Sequence, residues 1–345
     1  MDDGSDLLTG PDVGPLLEAA ISHQGGTLES WRLDHVDTNP DQSTTATYVA
    51  TVAWAYGERS ELLGVSARSG ELSGSDGNAE IFADGQRQVA VWLYPYDPDL
   101  PGLPRAAFPQ QLALALTETG VVGRAVAADE IDVTMIGYRP RRRAVVRASL
   151  AGGEVFYIKV LRPRVFDDVL GKHRLLCGAG VPAPEVALAT PDQLLVTREL
   201  PGRSLAKALF AQGDPCTAEQ LIQVLDSMPA AVAQLERRAP WSDAVSHYSH
   251  MVARALPTVS RDLDWAVHHI SQGLAAYPLG NEPTHGDFHE GQLRVGAGRI
   301  LGILDIDTIG PGRRADDLAC LIAHLSTIQR MNSEQSAKVR DLLRR

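Results

Sequence analysis

Apolar and polar positions change period twice along the chain. Residues 12–22 carry apolar side chains at helical spacing, and the runs 28–36, 45–56, 61–67 and 88–94 mix Val, Thr, Trp and Tyr in partial alternation, as strands do. Gly-, Asp- and Ser-rich stretches separate these runs, notably SGSDGNAEIFADG at 73–85, which reads as a turn. The pattern predicts a small α+β region with an antiparallel sheet, whose core takes Trp31, Trp54 and Trp92. YDPDLPGLP, 96–104, holds three prolines and predicts a rigid irregular connection.

A second β-rich block follows. Strands are expected at 131–138, 143–150 and 154–161, joined by RPRRR and AGG, then a helix over 166–178 that GVPAP stops at 180–184. PEVALAT and QLLVTREL predict two further strands. From 203 onward the spacing turns helical, over 204–212, 217–238 with a break near Pro229, and 242–275. Two polar stretches interrupt what comes next: THGDFHEGQLRV at 284–295 and ILDIDTIGPG at 303–312.

Composition narrows the function classes. Of 345 residues, 44% are apolar and 22% charged, as in a folded soluble protein. Lys plus Arg number 32 against 43 acidic residues, a formal charge of −11, which argues against nucleic-acid binding through a broad basic face. The acidic start MDDGSDLLTG is unlike a signal peptide, and no apolar run reaches the length of a membrane span. Cys177, Cys216 and Cys320 are odd in number and widely spaced, which predicts reduced thiols and a cytoplasmic location.

The two polar stretches carry the chemistry. Transfer of a phosphoryl group from a nucleotide needs a cation at the phosphates, oxygen ligands for a metal, and a carboxylate that orients the attacking hydroxyl. Mg²⁺ takes one or two protein oxygens and fills its other positions with phosphate and water. Asp287, the amide of Gln292 and Asp305 on a separate strand supply such a set, and Lys159 in FYIKV is a candidate for the phosphates. His285 and His289, at i and i+4, could ligate a metal, but Gly286 between His285 and Asp287 disfavours a helix there, so bracing of the loop is the favoured reading. Asp305 amid Ile303, Leu304 and Ile306 requires a cation or donors nearby if it is buried. Lys159 could instead guard a sheet edge, and Arg139, Arg141, Arg142 and Arg143 fit a solvated turn as well as a phosphate contact.

In order, the motifs H285-G-D-x-x-x-x-Q292, L304-D305 and R314-A-D-D-L-A319 resemble those of the aminoglycoside phosphotransferase-like branch of the protein-kinase-like fold. YRPRRRAVVRA with YIKV, LLCGAGVPAPEV and LLVTRELPG are similar to its first strands, helix-to-strand turn and connector. The likeness spans about 131–325, and the form HGDxHxGQ is shared with maltokinases. It implies an α+β bilobal fold: a β-rich, nucleotide-binding N-lobe at 126–200 and a helical C-lobe at 201–345, preceded by an α+β cap at 1–125. It further implies ATP and Mg²⁺ as cofactors and a small-molecule hydroxyl as substrate, with neither nucleic acid nor membrane as partner. Asp287 becomes the catalytic base, Gln292 and Asp305 the metal ligands, with Asp307 touching metal or substrate. Lys159 would bind the α- and β-phosphates, Thr197 to Glu199 the adenine, and Asp317 would fix the catalytic loop by hydrogen bonds.

Departures from the family pattern are local. The helix after Lys159 lacks the expected Glu, leaving Asp168 as the nearest acidic candidate, and the phosphate-covering turn has Arg141 and Arg142 where the family is glycine-rich. Two other functions fit parts of the sequence: a nucleotide-binding pseudokinase, and a metallohydrolase using His285, Asp287, His289 and Asp305.

Overall fold

The computed structural model describes residues 3–39, 43–69, 78–83, 87–211, 214–277, 279–331 and 336–344. They form two compact units, one of residues 1–170 with 186–199, the other of 171–185 with 200–345.

The first unit begins with helices α1 (Ser5–Thr9) and α2 (Gly14–His23). Strands β1 (Thr27–Asn39), β2 (Ser43–Trp54), β3 (Gly57–Ser69), β4 (Glu80–Ala83) and β5 (Arg87–Leu93) follow, in an antiparallel sheet of order β1-β2-β3-β5-β4. Alternate residues of β2 (Ala46, Tyr48, Ala50 and Val52) are buried with Leu17 and Ile21 of α2, so the period-2 pattern selects the helix-covered face. Trp92 is fully buried, whereas Trp31 and Trp54 pack at the edge of this core. The expected turn at 73–85 requires correction: Glu80–Ala83 is an edge strand paired with β5, its flanking polar residues having masked the apolar Ile81 and Phe82. Asn78 just before the strand is in a turn, as expected, and 73–77 and 84–85 lie outside the described residues.

Helices α3 (Leu103–Ala107) and α4 (Pro109–Glu118) lead to a second antiparallel sheet. It comprises β6 (Ile131–Arg139), β7 (Arg143–Leu150), β8 (Val155–Leu161), β9 (Val186–Ala189) and β10 (Leu194–Arg198), with α5 (Pro163–Gly178) between β8 and β9 and spatial order β6-β7-β8-β10-β9. One face sets Ala144, Val146, Phe156, Ile158 and Val196 against Leu103, Leu112 and Leu116. Burying side chains of this size stabilises by roughly 1.5–3 kcal/mol each. Leu161 and Leu195 instead pack with Phe166, Val169 and Leu170 of α5.

The second unit is mostly helical: α6 (Leu205–Ala208), α7 (Ala218–Asp226), α8 (Val245–Ala255), α9 (Ser260–Ala275), α10 (Arg314–Met331) and α11 (Ser336–Arg344). Short strands between Arg203 and Gly312 make two small sheets, and Leu176, Leu225, Phe288, Ile303, Ile306 and Leu321 share its core. Three helical expectations are revised. The helix over 204–212 is a single α-turn at 205–208, the one over 217–238 ends at Asp226 before a 3₁₀ turn, and the span 242–275 is two helices. Pro257, whose ring and missing N–H end a helix, separates α8 from α9. No helix of the described residues is long and apolar enough to cross a membrane.

Candidate functional site

The loop 285–292 follows a short strand, Glu282–Thr284, that pairs with Gly310–Gly312. Buried Asp317, in the first turn of α10, accepts from His285 N and Gly286 N, each at 2.8 Å, which meets the expectation that it fixes the loop. Gly286 has φ 81°, and a Cβ there would stand 2.7 Å from the Thr308 carbonyl oxygen, so the position requires glycine. His285 is fully buried: Nε2 donates to Leu304 O (2.9 Å), Nδ1 accepts from Asp287 N (3.3 Å), and its own carbonyl accepts from Thr308 Oγ1. Both ring nitrogens are therefore occupied by backbone, which gives His285 a bracing role and removes it from the ligand set a metallohydrolase would need.

Asp287 is partly exposed, with Oδ2 3.9 Å from His289 Nε2. Burial, as the largest influence, holds the His289 imidazole below the usual pKa. His289 Nδ1 accepts from Gly291 N at 3.1 Å, and the Gln292 side-chain Nε2 lies 3.0 Å from His289 Nε2.

Strands Leu293–Gly296 and Arg299–Ile303 form a hairpin in which Leu293 faces Ile303, and Leu304 N donates to Gln292 O (2.7 Å). Gln292 and Asp305 thus flank one end of this ladder. Asp305 is left-handed at φ 50°, ψ 52°, and its side chain does not cap the following 3₁₀ turn. Asp307 in that turn is 8% exposed, and its carbonyl accepts from buried Lys172 Nζ at 2.9 Å. One amide and one carboxylate oxygen here suit a hard cation such as Mg²⁺.

Asp287 opens into a cavity of about 810 Å³ in the second unit. Trp241, Tyr248 and Ile270 give it an apolar wall, the first two rings 5.4 Å apart. Its polar wall is a network in which Arg313 bonds Asp243 (2.7 Å) and Asp316 (2.9 Å), and Ser242 donates to Asp316. Cys320 also lines it, but burial pushes its thiol up to about 11, and Asp287, Asp317 and Glu290 add to the shift, so it is a poor nucleophile at neutral pH. Nothing in the sequence had marked Trp241, Tyr248 or Arg313; an amphipathic helix looks alike whether its apolar side meets a core or a cavity.

The remaining candidates lie in the first unit. Half-buried Lys159 sits between Val145 and Leu195 across the sheet. Thr197 Oγ1 donates to Tyr157 O, Glu199 N to Val155 O, and Tyr157 OH reaches Glu199 Oε1 at 3.3 Å. Asp168 is exposed on α5. Arg141, left-handed at φ 59°, gives its N–H to Asp97 (2.8 Å) and its Nε to Ser66 (2.8 Å), with its guanidinium over Trp92. Arg142 pairs with Asp37 at 2.6 Å. Asp97 is buried, and burial raises its pKa against the hydrogen bonds from Arg141, Tyr138 and Asp99.

A family model described as the phosphotransferase enzyme family matches residues 161–340, more than half of the chain. The chain belongs to the phosphotransferase enzyme family. The loop 285–292 and Asp305 fall inside the match, whereas Lys159 and everything before it fall outside. The α+β expectation is met, with a β-rich N-terminal part and a helical C-terminal part, as in the kinase-like phosphotransferases the motifs resemble. No curated protein matches the chain. Among solved structures it is similar to a macrolide 2'-phosphotransferase from Brachybacterium faecium (18% identity, 67% of this chain, 86% of the other, TM-score 0.40). It is also similar to an aminoglycoside phosphotransferase from Streptomyces rimosus (17%, 67%, 88%, 0.39). A choline/ethanolamine kinase family protein from Mesorhizobium loti is a third (19%, 61%, 69%, 0.42).

Proposed function

We propose that this phosphotransferase moves the γ-phosphoryl group of ATP to a hydroxyl of a small molecule, with Mg²⁺ as cofactor. The observation that carries the reading is Asp287 at the wall of a ligand-sized cavity lined in part by Trp241 and Tyr248, on a loop braced by Asp317 and His285. In this reading Asp287 accepts a hydrogen bond from the acceptor hydroxyl, orients it, and takes its proton as the new P–O bond forms. Gln292 and Asp305 hold the metal, with Asp307 next to them, and His289, in contact with the Gln292 side-chain nitrogen, steadies that amide. When bound, Mg²⁺ offsets negative charge on the transferring group.

Lys159 pairs with the α- and β-phosphates, and the backbone at Thr197 to Glu199 meets the adenine. Arg141 and Arg142, engaged by Asp97, Asp99 and Asp37, act by fixing the turn between β6 and β7. The aromatic wall suits the flat or apolar face of an acceptor, and Asp316 in the lining favours one that carries donors.

Asp287→Asn is the test. Transfer to hydroxyl compounds, read in a screen by ATP consumption, should vanish while ATP binding stays within about two-fold, since the carboxylate acts on the acceptor. Unchanged turnover would refute the assignment. Nucleotide binding by the wild-type chain with no transfer to any hydroxyl compound would establish a pseudokinase instead.

A further inference from the structure

A second concave surface lies wholly within the first unit, and of its lining only Arg162, Pro163 and Arg164 fall in the region the family model matches. It is a cavity of about 680 Å³ between the N-terminal sheet and the turn that joins β6 to β7, within the size range of small-ligand sites. Among the described residues lining it, the arginines are Arg68, Arg141, Arg142, Arg162 and Arg164, and the carboxylates are Asp37 and Asp99. Five positive charges against two leave an excess of three in a chain whose net charge is −11.

Both carboxylates are already engaged, Asp37 by Arg142 at 2.6 Å and Asp99 by Arg141 at 3.4 Å. Arg162 shows the resulting imbalance. Its Nε is buried with no hydrogen-bond partner among the described residues. Burial, then the neighbouring charges of Arg164 and Arg142, holds its pKa below the usual guanidinium value, with Asp99 opposing. Clustered like charges with a desolvated donor are unfavourable unless an anion joins them. Hydroxyls of Ser43 and Ser66 add neutral donors to the lining.

We propose that this cavity is an anion site for a phosphate-bearing small molecule, gripped by Arg162, Arg164 and Arg68 with the Ser43 hydroxyl. Planar guanidinium groups match phosphate oxygens bidentately, and an excess of three charges suits an oligoanion better than a single carboxylate. The concave shape and acidic chain favour a small molecule over a nucleic acid, which needs an extended basic face. Lys159 is not among the lining residues, so the cavity is a second place for phosphate beside the nucleotide position proposed above. Its ligand could be the nucleotide itself or a separate phosphorylated compound; we commit to the second.

Inorganic pyrophosphate is the probe, titrated into the full chain by calorimetry at fixed ionic strength, alone and with the chain saturated by ADP and Mg²⁺. Pyrophosphate should bind in both conditions. Arg162→Gln and Arg164→Gln should each weaken it about ten-fold while leaving ADP affinity unchanged, the loss expected for a guanidinium–phosphate pair. The exposed Arg164 side chain keeps the second variant clear of folding defects. Affinity unchanged in Arg164→Gln, no binding of pyrophosphate, or its competitive displacement by ADP would each overturn the proposal. The pyrophosphate arm stands even if ADP fails to bind, which separates this inference from the proposed function.

Discussion

Replacing Asp317 with alanine isolates what one buried carboxylate contributes to the loop that carries Asp287. Both of its oxygens are used, at 2.8 Å, on the backbone N–H groups of His285 and Gly286, and the residue is 2% exposed. Hydrogen bonds to a charged partner contribute roughly 1.5–3 kcal/mol each, so the pair gives about 3–6 kcal/mol. Desolvation opposes this: burial is the largest influence on Asp317 and raises its pKa, with the two N–H groups, His285 and Arg314 pulling the other way. After that offset the variant should lose about 2–4 kcal/mol of local stability. Native-state hydrogen exchange at the His285 and Gly286 amides measures the opening free energy of this loop directly, whether or not the two units unfold together. Turnover should fall about a hundred-fold, the usual effect of an ångström-scale displacement of a reacting group. If the two amides exchange as slowly in Asp317→Ala as in the wild type, the carboxylate does not hold the loop and the bracing argument fails.

Other perturbations probe separate parts of the molecule. Gly286→Ala should destabilise by about 1–3 kcal/mol through the left-handed backbone and the contact with Thr308 O, seen as a lowered unfolding midpoint. Tyr138→Phe removes the hydroxyl that accepts from Trp92 (2.8 Å) and donates to Asp97 (2.7 Å), and denaturant titration should show a loss of about 1–3 kcal/mol. Because the folded pKa of Asp97 is raised, its contribution is full below the unfolded value and is lost as pH rises through the folded one; stability of wild type relative to Asp97→Asn should fall in that direction, and a rise would contradict the burial argument. Trp241→Ala should raise KM for the acceptor about ten-fold with kcat little changed, and an effect confined to kcat would place the ring elsewhere.

Local pattern and long-range pairing differ in how far they can be read from sequence. Strands β6 to β8 are clear because apolar residues alternate between short turns, and the same alternation sets Lys159 opposite the core-facing Ile158 and Val160. Helical periodicity continued through Pro257 because the flanking segments keep the same spacing; only the proline itself marks the break. The anchoring of Arg141 was hidden for another reason: its partners Asp97 and Ser66 lie 44 and 75 residues away, so RPRRR looks like any solvated turn until the sheets are assembled. Asp287, Gln292 and Asp305 stand out as polar residues in apolar surroundings. The cavity that Asp287 lines comes from residues scattered between Arg238 and His324 and has no linear signature.

The helical layer on the second sheet bears on how such a protein can be dissected or evolve. Leu103, Leu112 and Leu116 share a core with β7, β8 and β10, so a truncated gene product starting at β6 would present a greasy, uncovered flank to water. Recombination that exchanged only the stretch matched by the family would part β9 and β10 from β6 to β8 and from this cover. The leader segment and the sheet behind it are therefore expected to be inherited together.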